Sequence, residues 1–128
     1  MQFDIKYNST GDTRPVTKIQ ICNPVTHKSG EYRALIDTGA NYCAISSKIA
    51  EELGIEAAYT STYNTASEAG VEGSVCDIGV IIDGKIVNAV AGIMDTPDFE
   101  AVIGMNVIGI TRFSIEPKSN KLKVVMKV

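Results

Sequence analysis

Asp37 is the residue of this chain with the clearest claim to chemistry. It stands in the run Leu35-Ile36-Asp37-Thr38-Gly39-Ala40, where two apolar residues lead into an acid, a hydroxyl, a glycine and a small residue. The apolar pair reads as the end of a buried strand, and Thr-Gly as a tight turn. A carboxylate delivered at the end of a buried strand is costly unless it is paired, hydrogen-bonded or protonated. Asp37 is therefore either a solvated loop acid or a residue held there for chemistry. Other reactive side chains offer less. Cys22, Cys43 and Cys76 are odd in number and lack a short-spaced pair, so they fit neither a disulfide framework nor a zinc site. Cys43, close after Asp37, reads as a small buried hydrophobe rather than a redox group. His27 lies among the turn residues Asn23 to Gly30 and reads as a solvated loop residue. As the single histidine, it excludes a site with two histidine ligands. No metal or other cofactor is expected. Glu51-Glu52 and the pair Asp98, Glu100 read as solvated faces, and Asp77 has no motif around it.

The elements that must position Asp37 are mostly short strands. Phe3, Ile5 and Tyr7 alternate over 2–7 and predict a strand, followed by a loop over Asn8 to Asp12. Val16 to Cys22 predicts a second strand and Glu31 to Ile36 a third, its hairpin partner. Cys43-Ala44-Ile45 is short and apolar. From Ser46 to Gly54 a serine cap, an Ile49/Leu53 pair and a glycine stop predict a helix of about two turns. Residues 56–74 are small and polar with strand-capable ends, which predicts a long exposed hairpin with its tip near Ser67 to Val71. Val75 to Asp83 alternates, Asp83-Gly84 is a strong hairpin signal, and Lys85 to Ile93 is the returning strand. Ala101-Val102-Ile103-Gly104 repeats the pattern of apolar residues running into a turn. Met105 to Ile108 predicts one helical turn closed by Gly109. Phe113 to Glu116 and Lys121 to Val128 are two last strands. Short strands with regular turns predict a nearly all-β chain with a closed or folded-over sheet.

Length and composition set the frame. One domain over 1–128 is expected, since 128 residues suit one core and not two lobes. A net charge of −3 with scattered Lys and Arg leaves no basic footprint for nucleic acid or an acidic membrane. Met1 to Tyr7 carries no apolar leader core, and no run approaches a membrane span. A reduced, cytoplasmic compartment is expected.

With Leu35-Ile36-Asp37-Thr38-Gly39-Ala40 followed at a distance by Val102-Ile103-Gly104, the chain resembles the retropepsin-like aspartic proteases, the one-domain dimeric relatives of pepsin. The likeness runs from about Val16 to Ile115 and takes in the short Ile/Leu helix and the Gly-bearing hairpin. Ile103-Gly104-Met105-Asn106-Val107-Ile108 is most similar to bacterial members, expected to carry Asp where this chain has Asn106. The resemblance implies an all-β retropepsin-like fold: a closed, barrel-like sheet with a flap hairpin and one or two short helices. It implies Asp37 as catalytic residue, supported by Thr38, Gly39, Ala40, Val102, Ile103 and Gly104. Thr65, Ala66, Ser67, Ala69, Gly70 and Val71 would form the substrate-binding part of the flap, with Gly70 at its tip.

The chemistry implied is peptide hydrolysis without a metal. It needs one carboxylate to activate water and one carboxylic acid to protonate the carbonyl oxygen. Two adjacent carboxylates cannot both ionise, so one proton is shared and the roles separate. The only other Asp-Thr is Asp95-Thr96, and the following Pro97 offers neither the N–H nor the turn that Gly39 offers. A C2 homodimer, with Asp37 facing its own copy, is therefore expected, and an extended peptide as substrate. Thr38 would bond the partner's strand, and Gly39 would let its N–H approach the carboxylate. Ala40 supplies no hydroxyl to favour the ionised form, so a working range from mildly acid to near neutral is expected. Retroviral members carry an Asp and an Arg that pair near the interface, where this chain has Asn41 and Met105; both charges are missing together, so none is stranded. The terminal strands could pair between subunits or close the chain's own sheet. Two other readings stay open: a peptide-binding module of the same fold that does not cleave, and a structural dimer in which Asp37 is a turn acid.

Overall fold

In the computed structural model the described residues are 1–6, 14–64 and 68–128. In chain order they form β1 (Gln2–Lys6), β2 (Val16–Cys22), β3 (Ser29–Ile36), β4 (Cys43–Ile45), α1 (Ser47–Leu53), β5 (Tyr59–Tyr63) and β6 (Val71–Ile82). There follow β7 (Lys85–Ile93), β8 (Ala101–Ile103), α2 (Met105–Ile108), β9 (Arg112–Pro117) and β10 (Lys121–Lys127). Tyr7 and the loop expected over Asn8 to Asp12 lie outside the described residues.

Apart from two short helices the described chain is all-β, and its large sheet is closed. The large sheet runs β2-β3-β8-β4-β7-β6-β5, and β2 also pairs with β6. That extra pairing, through Gln20↔Ile81, Ile21↔Val80 and Cys22↔Gly79, closes six strands into a barrel and leaves β5 outside it on β6. Period-two patterning decides which side chains fill the barrel. On β6 the residues Cys76, Ile78, Val80 and Ile82 are fully buried while Asp77 between them is exposed. Opposite β6 stand buried Ile19 and Ile21 of β2, Ile45 of β4 and Ile103 of β8, in one cluster. Burying each such side chain is worth roughly 1.5–3 kcal/mol.

Two local signals fold as their chemistry requires. Asp83 and Gly84 both take positive φ, 52° and 76°, as a two-residue hairpin turn matched to strand twist demands. Ser46 caps α1, its Oγ accepting from the Ile49 amide at 3.2 Å, and Gly54 closes it at φ 65°. The helix buries Ile49, Ala50 and Leu53 against the barrel. Its far end is held by Asn23, whose Nδ2 donates to the carbonyls of Leu53 at 3.0 Å and Gly54 at 3.2 Å. The helix is too short to persist without such anchors.

The sequence divides residues 56–83 into a hairpin and a separate strand at Val75. The structure joins them: β6 is one strand that pairs with β5 over Val71–Val75 and with β7 over Val75–Ile82. One long strand thus carries both the outer hairpin and the barrel wall. The terminal strands form a second sheet of order β1-β10-β9 within the same chain. Val124 and Met126 of β10 are fully buried, and Met1, Phe3 and Phe113 pack against the core beside them. None of the helices among the described residues is long and apolar enough to cross a membrane.

Candidate active site

Strands β3 and β8 lie parallel, with Leu35↔Val102 and Ile36↔Ile103 as partners. The two apolar runs of the sequence therefore end side by side, with Asp37 emerging next to Gly104. The Asp37 amide donates to the Ile103 carbonyl at 2.9 Å, which fixes the backbone that carries the acid. Ile36 and Ile103 are buried, Val102, Ala40 and Asp37 half-buried, and Thr38 and Gly39 exposed.

The carboxylate is held from the other side of the turn. The Gly39 amide donates to Asp37 Oδ1 at 2.9 Å, and the Ala40 amide to the Asp37 carbonyl at 3.2 Å. A Cβ on Gly39 would stand 3.2 Å from Oδ1, tighter than ordinary van der Waals contact, so glycine suits this approach. The start of α2 braces the turn: the Met105 amide donates to the Ala40 carbonyl at 2.7 Å and the Asn106 amide to that of Asn41 at 3.1 Å. Gly104 is buried where the two segments cross. Its place in the site follows from that crossing, since a Cβ there would fall among backbone atoms of Tyr42 and Ala40.

Asn106 does work that sequence reading missed. Its Oδ1 accepts from the Cys43 amide at 3.1 Å and the Cys43 thiol at 3.2 Å. Its Nδ2 donates to the Val90 carbonyl at 2.9 Å, tying α2 to β4 and β7. The available signal was a lone amide in the apolar turn Met105 to Ile108. An aspartate there would keep the acceptor but lose the donor to Val90. Asn106→Ala should destabilise the chain by about 1–3 kcal/mol, because half-buried polar partners lose their bonds. Urea unfolding measures it, with Asn106→Asp falling between wild type and Ala.

Cys43 is buried, and its Sγ also accepts from the Gly104 amide at 3.4 Å. Burial pushes its thiol up to about 11, so at neutral pH it is no thiolate nucleophile. Asp95, in the other Asp-Thr, is engaged elsewhere. It accepts from the Ser47 amide at 2.9 Å and from the Ser47 hydroxyl, at the start of α1. Three of the four acids read as solvated faces have partners: Tyr32 donates to Glu52 at 2.9 Å, the Arg33 amide to Glu100 at 2.9 Å and the Arg14 guanidinium to Asp98 at 3.4 Å. His27 is an exposed loop residue.

Strands β5 and β6 make the hairpin expected from the sequence, paired from Tyr59↔Val75 to Tyr63↔Val71. At its end Gly70 takes φ 69°, and its amide donates to Asn64 Oδ1 at 3.0 Å. Ala69 and Gly70 are exposed, and Val71 opens β6. Thr65, Ala66 and Ser67 lie outside the described residues.

A closed six-strand barrel, a terminal sheet and an Asp-Thr-Gly turn set against a second apolar-apolar-Gly run define a retropepsin-like fold. Solved structures share it. A retropepsin-like aspartic protease from Rickettsia conorii is 19% identical, covers 97% of this chain and 89% of its own, with a TM-score of 0.63. EIAV protease, solved in complex with the inhibitor HBY-793, is 19% identical, covering 82% of this chain and 92% of its own, with a TM-score of 0.60. The retroviral protease-like domain of Ddi1 from Leishmania major is 15% identical over 91% of this chain and 96% of its own, with a TM-score of 0.54. No curated protein sequence matches the chain. A family model described as "gag-polyprotein putative aspartyl protease" matches residues 24–109, well over half of the chain. The chain belongs to that aspartyl protease family.

Proposed function

We propose that this chain is an aspartic endopeptidase that works as a C2 homodimer, with Asp37 of each subunit forming the catalytic pair. The observation that carries this reading is the β3–β8 register, which sets a braced Asp37 carboxylate beside Gly104 in a chain with a single Asp-Thr-Gly. One carboxylate takes a proton from water, whose oxygen attacks the scissile carbonyl carbon. The other, protonated, gives its proton to the carbonyl oxygen. The tetrahedral diol then collapses: the first Asp37 gives the proton it took from water to the nitrogen, a diol hydroxyl returns its proton to the second Asp37, and the C–N bond breaks to leave a carboxylic acid and an amine. Like charges in contact keep one shared proton on the pair, so base and acid coexist at one pH.

Thr38 is exposed, and its hydroxyl bonds no described residue, so it is free to hold a partner's strand. The substrate lies extended below the β5–β6 hairpin, with Thr65, Ala66, Ser67, Ala69, Gly70 and Val71 as the closing part of the flap. All three cysteines are free and buried, which suits a reducing, cytoplasmic setting.

The test is cleavage of an unstructured protein over a dilution series. Specific activity should rise with concentration until it saturates, in step with the dimer fraction seen by sedimentation. Activity that persists in a sample containing only monomer overturns the dimeric mechanism.

A further inference from the structure

Beside the catalytic turn the surface sinks into a shallow recess of about 350 Å³, lined by Tyr42, Asp77, Asn88, Ala89, Val90 and Asn106. It is built by the same pieces that brace the site. Tyr42 continues the Asp37 turn into β4, and Asn106 is the second residue of α2, whose first amide holds Ala40. On the barrel wall Asp77 faces Val90, and Gly79 faces Asn88. Asp77 and Asn88 are therefore diagonal neighbours on one outward face, within reach of a common ligand.

The chemistry of the lining is one-sided. Asp77 is its only charged residue. The side chains of Asp77, Asn88 and Tyr42 are exposed and bond no described residue. Tyr42 is 63% exposed, a large amount for an aromatic residue next to a site. The Asn106 amide is committed to Cys43 and Val90, so it serves as wall rather than ligand. A free carboxylate, an amide oxygen and an aromatic face around the apolar side chain of Val90 suit one kind of guest. That guest is a cation on an aliphatic stem.

We propose that this recess takes a Lys or Arg side chain of the peptide being cleaved, at a position outlying from the scissile bond, with Asp77 as its charge partner. The inference rests on the protease reading above and adds a specificity determinant to it. Asp77 is a binding residue here and takes no part in the bond-breaking steps.

Two measurements test it and separate the two readings. In the first, NMR follows titration of the full chain with N-acetyl-argininamide. Saturable shifts at Tyr42, Asp77, Asn88 and Val90 are expected, and their loss in Asp77→Asn. No shift at these residues, or the same shifts in Asp77→Asn, overturns the recess. In the second, kcat/KM is compared for peptides carrying Lys or its uncharged analogue norleucine at successive outlying positions. At one position Lys should be favoured by on the order of 5-fold, the size of an exposed ion pair assisted by a ring. Asp77→Asn should bring that ratio close to one, and Asp77→Lys should reverse it in favour of norleucine. Cleavage with no Lys preference at any position, or a preference indifferent to Asp77, overturns the recess and leaves the protease reading standing. Ligand shifts at the recess with no cleavage of any peptide overturn the substrate assignment together with the protease reading.

Discussion

Asp37→Asn should lower peptide cleavage by at least about 10⁴-fold, since a positioned acid or base contributes 10²–10⁴-fold and the substitution removes both members of the pair. The amide side chain still accepts a bond from the Gly39 amide at the place where Oδ1 now does. It neither takes the proton of water nor protonates a carbonyl. The fold should survive, because the Asp37 backbone is held by Ile103 and Ala40 through main-chain bonds that the substitution does not touch. Subunit mixing gives the sharper form of the test. If one Asp37 from each of two chains is needed, a mixed dimer is as inactive as the Asn homodimer. At fixed total protein, activity should then fall as the square of the wild-type fraction. A linear fall would mean that each chain works alone and would end the shared-site mechanism. Peptide binding by both forms with cleavage by neither would identify a binding module instead.

Gly104→Ala should be the most damaging small substitution in the chain. The new Cβ would lie 2.4 Å from the Tyr42 carbonyl oxygen, 2.6 Å from its carbonyl carbon and 2.9 Å from the Ala40 carbonyl oxygen. All three are backbone atoms, so no side chain can swing away. The strain comes from packing and not from the backbone angle, since Gly104 has φ −98°, which any residue adopts. Relief requires α2 and the Asp37 turn to part, and the bonds from Met105 to Ala40 and Asn106 to Asn41 span that gap. The expected loss is roughly 3 kcal/mol of stability, the upper part of the range for overpacked cores. Activity should fall about 100-fold or more even where the chain stays folded, because a displacement near 1 Å at the reacting groups costs that much. Denaturant unfolding read together with kcat of the folded fraction separates the two effects. Wild-type values for both would show that the crossing is looser than the contacts require.

These two results differ in how far they are visible before folding. Asp37-Thr38-Gly39-Ala40 carries its meaning in adjacent residues: an acid, then a glycine whose N–H returns to it at 2.9 Å. Gly104 looks like any turn glycine until β8 is laid against β3. The Ser46 and Gly54 caps of α1 and the Asp83-Gly84 turn were equally legible, because capping and positive φ are settled by residues a few positions apart. Asn106 and Asn23 were not. Each is a polar residue whose partners, Cys43 and Val90 or Leu53 and Gly54, lie far along the chain. The continuity of β6 was also hidden, because one strand changing partners at Val75 leaves no local mark.

By itself, then, the sequence determined that this chain is mostly β and carries one Asp-Thr-Gly turn at the end of a buried strand, since acid, turn and alternation are short-range chemistry. Only the tertiary structure decided what surrounds that turn. The parallel β3–β8 register, the α2 brace and the self-paired terminal sheet place far-apart residues in contact. So does the face that brings Asp77 and Asn88 into one recess with Tyr42. Such contacts are selected by the burial of whole strand faces at once, a global sum over the barrel that no short stretch of residues contains.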